Sequence, residues 1–197
     1  MSGGRRCPAC GEPLYGWVVV GSDEGGPGPG RVLDRCESCG LGVAHESGAP
    51  PLEVRGREPI SLPNRRSWQA GLGGGHWAAL ALAPRSSYPT PEALGLLLDR
   101  AGLEPLRLRQ PPLGANQLWM WQTLMNAFTF HDGFAVRVLT GRLGPLRARS
   151  RLTFAVDAIV SLVAALPVAL VSVPLELLAV AARRGGLLEV EVHELRA

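Results

Sequence analysis

Four cysteines fall in two pairs, Cys7-Pro8-Ala9-Cys10-Gly11 and Cys36-Glu37-Ser38-Cys39-Gly40, with 25 residues (11–35) between them. A two-residue gap lets both thiolates of a pair reach one ion, and the glycine after the second cysteine permits a tight turn. Four thiolates close a tetrahedral site and leave no open coordination position, so the chemistry implied at Cys7, Cys10, Cys36 and Cys39 is structural metal binding rather than metal catalysis. Zinc is the ion expected; rubredoxin-like iron and two disulfides are the other outcomes of the same pattern. The chain starts Met-Ser-Gly-Gly-Arg-Arg and runs straight to Cys7 with no apolar stretch. That is not a secretory signal, and a cytoplasmic location favours metal ligands over disulfides. His45 follows the second pair closely, but a fifth ligand is not needed, and a surface histidine is expected there.

The remaining candidates carry weaker chemistry. Gly71-Leu72-Gly73-Gly74-Gly75 has the composition of a phosphate or cofactor loop, but it lacks the strand-to-helix setting that such loops require, so a flexible loop is expected. His131-Asp132 could suggest acid–base chemistry. No nucleophile or partner is visible, and a polar turn ending a helix is expected instead. His193 falls on the polar face of a strand. Trp119, Met120, Trp121 and Met125 lie in a helix expected over residues 116–128, where core packing is the expectation and a substrate-facing lid the alternative.

The elements that must position these residues are legible. Leu14 to Val20 and Arg31 to Asp34 can form a hairpin whose tip, residues 21–30, holds five glycines and two prolines. Residues 41–58 lack periodicity and read as a linker with a boundary near Pro50-Pro51. A strand at Ile60-Ser61-Leu62 is followed by a helix with Thr90 as N-cap, Pro91 in its first position and Glu92 near its positive end. Leu94, Leu97, Leu98 and Ala101 give that helix one apolar face, and Gly102 can end it. Leu106 to Arg109 alternates with period two, as does Leu187 to Leu195. This strand–loop–helix–strand unit belongs to the α/β class. Leu152 to Ala182 is the most apolar segment and is long enough to span a bilayer. It contains Pro167 and has arginine on both sides. Two helices meeting at Pro167 are expected, buried against the domain or dipping into a membrane surface as a hairpin.

With 197 residues, 46% of them apolar, the chain has room for one domain plus a small module, and a net charge of +3 calls for no special partner. All 20 basic residues are arginine. We read this as compositional bias and expect no nucleic-acid partner.

Several segments in order resemble a family. Pro59-Ile60-Ser61-Leu62-Pro63-Asn64-Arg65-Arg66-Ser67-Trp68-Gln69-Ala70 resembles the fifth strand and following loop of class I S-adenosylmethionine-dependent methyltransferases, in the group with an N-terminal zinc ribbon and a long C-terminal insertion. Gly74-Gly75-His76-Trp77 and Pro84-Arg85 resemble that group's "Gly-Gly-x-Trp … Pro-Arg-His" loop, with Ser86 in place of the histidine. Tyr88 to Leu103 resembles its next helix, Trp121 to Asn126 its "Trp-Gln-Ser-Leu-Leu-Asn" segment, and Arg184-Gly185-Gly186-Leu187 the turn before its last strand.

The resemblance implies a zinc ribbon over 1–46, a linker over 47–58, and a reduced Rossmann-like methyltransferase C-terminal half over 59–197. That half would have about three strands in a mixed sheet and a helical insertion over 115–184. It implies too that Leu187 to Leu195 lies antiparallel between Ile60-Ser61-Leu62 and Leu106 to Gln110. Independently of the resemblance, alternation then puts Arg107, Arg109, Glu189 and Glu191 on one face and Leu106, Leu108, Leu188, Val190 and Val192 on the other, which is expected to be buried. The family's cofactor sits on four earlier strands. Only about 20 residues separate Cys39 from Ile60, whereas one βαβ unit needs roughly 30. The cofactor half is therefore missing. S-adenosylmethionine is not expected to bind the isolated chain, no catalytic residue can be assigned, and a protein partner would have to supply the other half. The expectation is a degenerate methyltransferase-like protein, non-catalytic or partner-dependent. The alternatives are a membrane-associated zinc-ribbon module, contacting a membrane surface through 152–182, and an active methyltransferase with an unusual cofactor site. The expected location is the cytoplasm, with peripheral membrane association under the first alternative.

Overall fold

The computed structural model describes residues 5–21, 30–45, 59–142 and 150–194. The linker expected over 47–58 and the hairpin tip over 22–29 lie outside the described residues.

The N-terminal hairpin forms where the sequence places it. Strand β1 (Leu14–Val20) pairs antiparallel with β2 (Arg31–Cys36), with a bulge between Gly16 and Val18. A short strand, β3 (Gly42–Ala44), adds to β2. The first sheet is completed from further along the chain, because β5 (Ser87–Tyr88) pairs with β3, giving the order β1-β2-β3-β5.

The second sheet has the order β4-β7-β6, with β4 at Ile60–Pro63, β6 at Leu103–Arg109 and β7 at Leu187–Glu194. The last strand thus lies in the middle, as expected from the sequence. Its register sets Ser61 and Leu62 against Glu189 and Leu188, and Arg107 and Arg109 against Glu191 and Glu189. The expectation of a mixed sheet is corrected: both pairings are antiparallel. With β7 inserted between β4 and β6, those two strands run the same way but never touch, so no parallel ladder forms. Helix α3 (Pro91–Arg100) covers one face, where Leu94 and Leu98 pack with Ile60, Leu62, Leu188 and Val190. On the edge strand β6 the cover reaches Leu103, at the strand's start. Leu106 and Leu108, expected to be buried with the other aliphatics, remain 64% and 45% exposed.

Between β4 and β5 the chain makes α1 (Trp68–Gly73), a 3-10 turn (Gly74–His76) and α2 (Ala78–Leu82). The flexible loop expected at 71–75 is therefore corrected: residues 71–73 close α1, and Gly74 and Gly75 lie in the 3-10 turn. Ser67 caps α1 by accepting from the Ala70 N–H at 3.1 Å, and Gly74, at φ 52°, ends it. The segment is held because Trp77 is buried among Ala70, Leu80 and Tyr88. Helix α4 (Ala115–Asn126) starts the helical insertion, followed by α5 (Phe134–Leu139) and α6 (Arg151–Ala181).

The break expected at Pro167 does not occur. Helix α6 runs for 31 residues through both Pro167 and Pro174, about 46 Å at the α-helical rise. A proline inside a helix removes one backbone hydrogen bond and crowds the preceding turn. Tertiary contacts outweigh that local cost. The Trp121 indole donates to the Ala165 carbonyl at 2.9 Å, and Gln117 Nε2 donates to Ser172 Oγ at 2.8 Å, so α4 holds α6 on both sides of Pro167. A re-entrant hairpin is excluded by the same continuity.

Candidate metal centre

Each Cys-x2-Cys-Gly segment closes on itself in the same way. Gly11 N–H donates to the Cys7 carbonyl at 2.9 Å and Gly40 N–H to the Cys36 carbonyl at 3.1 Å. Cys7 N–H reaches the Glu12 carbonyl at 2.7 Å and Cys36 N–H the Leu41 carbonyl at 2.8 Å. Gly11 and Gly40 sit at φ 84° and 75°, a backbone conformation that glycine adopts without a side-chain penalty. Gly40 is doubly constrained, because an added Cβ would meet Thr90 Cγ2 at 2.6 Å.

The two turns bring the four sulfurs within 4.8 Å of one another. Cys7 Sγ is 3.5 Å from Cys39 Sγ, and Cys10 Sγ is 3.4 Å from Cys36 Sγ. A tetrahedral ion with metal–sulfur bonds of about 2.3 Å sets its sulfurs about 3.8 Å apart, so the cluster has the dimensions of a closed cage. None of the four cysteines forms a disulfide, and these two contacts run between the pairs. Burial pushes Cys7 and Cys39 above the ordinary thiol range. Burial acts on Cys36 in the same sense, but the N–H of Cys39, the Cys10 thiol and the N–H of Ser38 outweigh it and draw that group down to about 7. Four thiolates this close repel each other unless a cation lies between them, so the arrangement could hold a metal ion and offers no open position for catalysis. His45 is not in the cluster. Its Nδ1 lies 2.9 Å from Asp34 Oδ2, where Arg5 also binds at 3.2 Å.

The cage is fastened to the rest of the molecule. Thr90, the N-cap of α3, donates through Oγ1 to the Cys39 carbonyl at 2.7 Å and accepts from the Ala93 N–H at 3.1 Å. Arg65 Nη1 donates to the Gly40 carbonyl at 3.0 Å, while its guanidinium lies 4.4 Å from the Trp17 ring centre. Arg100 Nη1 donates to the Pro8 carbonyl at 2.7 Å. Cys7, Cys36 and Leu41 share an apolar cluster with Ala93 and Leu97 of α3. Sequence reading identified Thr90 as a helix cap, but nothing local to it signals the second bond to Cys39.

A second constellation was not foreseen. Gln69 Nε2 lies 2.8 Å from Glu176 Oε2 and 2.9 Å from both Asn116 O and Asn116 Oδ1. Glu176 Oε1 accepts from the Gly186 N–H at 3.1 Å, and Asn64 Nδ2 donates to the Gly185 carbonyl at 2.8 Å. All of these side chains are fully buried. Burial raises the Glu176 carboxyl above its ordinary pKa, partly offset by hydrogen bonds from Gln69, Gly186 and Asn116. An added Cβ on Gly186 would stand 2.2 Å from Gln69 Nε2, so glycine alone fits there. Residues 64, 69, 116, 176 and 186 are scattered in sequence and meet in one polar knot joining β4, α1, α4, α6 and β7.

His131 finds a partner other than its neighbour Asp132. Its Nδ1 is 2.6 Å from Asp157 Oδ2, and Asp157 also accepts from the N–H groups of Phe130 at 2.8 Å and His131 at 3.1 Å. Asp132 instead meets His76 at 3.0 Å. Met120 and Met125 are fully buried and Trp119 packs against the core, so α4 is a core helix. Its polar residues are structural as well. Gln122 Oε1 accepts from the Val136 N–H at 2.9 Å, Thr123 Oγ1 from the Ala78 N–H at 3.1 Å, and Asn126 Oδ1 from the Gly133 N–H at 2.9 Å.

Compared with known proteins, the chain matches no family model, no curated protein and no solved structure.

Proposed function

We propose that this chain is a degenerate methyltransferase-like protein, stabilised by structural zinc, that acts non-catalytically or is completed by a partner carrying the cofactor-binding half. The observation that supports this reading is the position of β7. The methyltransferase resemblance implies a last strand running antiparallel between the fifth and sixth, and Leu187–Glu194 runs antiparallel between β4 and β6. Segments that carry the resemblance also meet in space: Asn64 Nδ2 donates to the Gly185 carbonyl at 2.8 Å, and Asn126 Nδ2 to the His76 carbonyl at 2.7 Å. Zinc is the ion that suits four thiolates in a closed cage with no ligand left for substrate.

Calorimetric titration of the purified chain with S-adenosylmethionine tests the reading, and the expected result is no saturable heat. Saturable binding in the micromolar range, about −8 kcal/mol, overturns it and favours an active enzyme with an unusual cofactor site. Co-expression with the product of the adjacent reading frame tests the partner-completed form. A stable complex that binds the cofactor, where the chain alone does not, is the expected outcome.

A further inference from the structure

Helix α6 wears its polarity inside out. Asp157, Ser172 and Glu176 are buried against the protein, and Ser161 Oγ is buried without a hydrogen-bond partner among the described residues. Leu152, Ile159, Leu162, Leu166, Leu170 and Leu177 point outward. Within each set the spacings are three, four, seven or eleven residues, whole turns of an α-helix, so the two sets occupy opposite faces. Leu162 and Leu166 are 83% and 70% exposed. Mean hydropathy over the most apolar window is 2.4, with 6% of that window buried. A water-soluble surface helix has the reverse arrangement.

We propose that the outward face of α6 seats the protein on a lipid bilayer, with the helix lying in the plane of the interface. Three features select lipid. Between Leu152 and Ala181 the exposed residues are Leu, Ile, Val, Ala and Pro alone, without the aromatic anchors, arginine and hydrogen-bonding groups that mark protein interfaces. Residues 158–175 carry no charge, and this stretch is about 27 Å long. Exposed arginines stand at both ends, Arg151 at one and Arg183 and Arg184 at the other. A helix lying flat holds both ends at the level of the lipid phosphates, so arginine at each end binds headgroups without requiring an inside and an outside. A spanning orientation would carry α4 into the hydrocarbon, because Gln117 and Trp121 bind it to the middle of α6. The inference is independent of how the sheet is read.

The test is flotation of the purified, zinc-loaded full chain with vesicles of phosphatidylcholine and phosphatidylglycerol, three to one. The wild type is expected to float. L162E/L166E is expected to cut the bound fraction about tenfold or more, with zinc content and helical signal unchanged. R151E/R184E, which changes only exposed side chains, is expected to weaken binding to these vesicles and to leave binding to pure phosphatidylcholine vesicles unaltered. Failure of the wild type to float overturns the proposal, as does equal flotation of wild type and L162E/L166E. A lipid-free dimer that L162E/L166E dissociates, with no flotation, assigns the face to a second copy of the chain and overturns it too. If L162E/L166E does not fold, the arginine variant decides: unchanged binding to anionic vesicles overturns the proposal.

Discussion

Single residues hold this molecule at points where several backbone groups converge. Asp157 accepts three hydrogen bonds while fully buried. Replacing it with alanine leaves the Phe130 and His131 amides and the His131 ring without an acceptor, and each abandoned group costs about 1–3 kcal/mol. The expected loss for D157A is roughly 3 kcal/mol or more by the same reckoning, read as a fall in the urea midpoint; a loss within 0.5 kcal/mol, about that of an ordinary surface change, would contradict the geometry. Glu176 makes a pH prediction. Its folded pKa is raised, so the folded state holds the proton more tightly than the unfolded chain does. The carboxyl therefore contributes most below the unfolded value of about 4.3, and that contribution is lost as pH rises through the folded value. Wild type should gain on E176Q as pH falls from neutral toward that value, measured by denaturation at several pH values. A gain in the other direction would mean that hydrogen bonding to Gln69 and Gly186 outweighs burial.

At the scale of elements, the metal cage and α3 form one device. The Cys36-to-Gly40 turn is bonded to the Thr90 cap and to Arg65, and it leaves no room for a side chain at residue 40. Cys36→Ser removes one of four thiolates. Purified wild type should carry about one zinc per chain and this variant far less; full metal content in the variant would move the site elsewhere. The β6–β7 ladder has charge opposed across it, with Arg109 Nη2 at 3.5 Å from Glu191 Oε1. Both side chains are half exposed, so this pair is worth at most a few tenths to about 1 kcal/mol. Packing of Leu188 and Val190 against α3 dominates the register.

For the whole molecule, the ribbon and the second sheet are joined through β5 and α3 rather than lying at the two ends of a tether. Ser87–Tyr88 completes the first sheet, and the next residues start the helix that covers the second. Removing a metal held by the four cysteines should therefore loosen more than the N-terminal hairpin. Hydrogen exchange after chelation is expected to lose protection in α3 as well as in β2 and β3. Loss confined to residues 5–45, with α3 unchanged, would show that the ribbon opens independently.

The sequence alone determined the elements whose signals are local. The paired cysteines name their own cage because two-residue spacing and a following glycine leave few geometries. Thr90-Pro91 starts α3 and Gly102 follows it, since caps act through neighbouring backbone groups. Alternation specified β6 and β7, the glycine-rich tip between the cysteine pairs marked β1 and β2 as a hairpin, and the expected order β4-β7-β6 came with the resemblance. Tertiary structure decided what depends on distant partners. Pro167 reads as a break, yet α6 continues through it, held by α4 on either side. The glycines at 71–75 read as a loop, yet beside the buried Trp77 they form the end of α1 and a 3-10 turn. His131 reads with Asp132, the residue beside it, but bonds Asp157, 26 residues away. Glu176 stands in the most apolar run of the sequence, and only the fold brings Gln69, Asn116 and Gly186 to its carboxylate. Local sequence encodes dihedral preference and periodicity. The partner of a buried polar group is chosen by which chain segments the packing makes neighbours, and no window of the sequence contains that information.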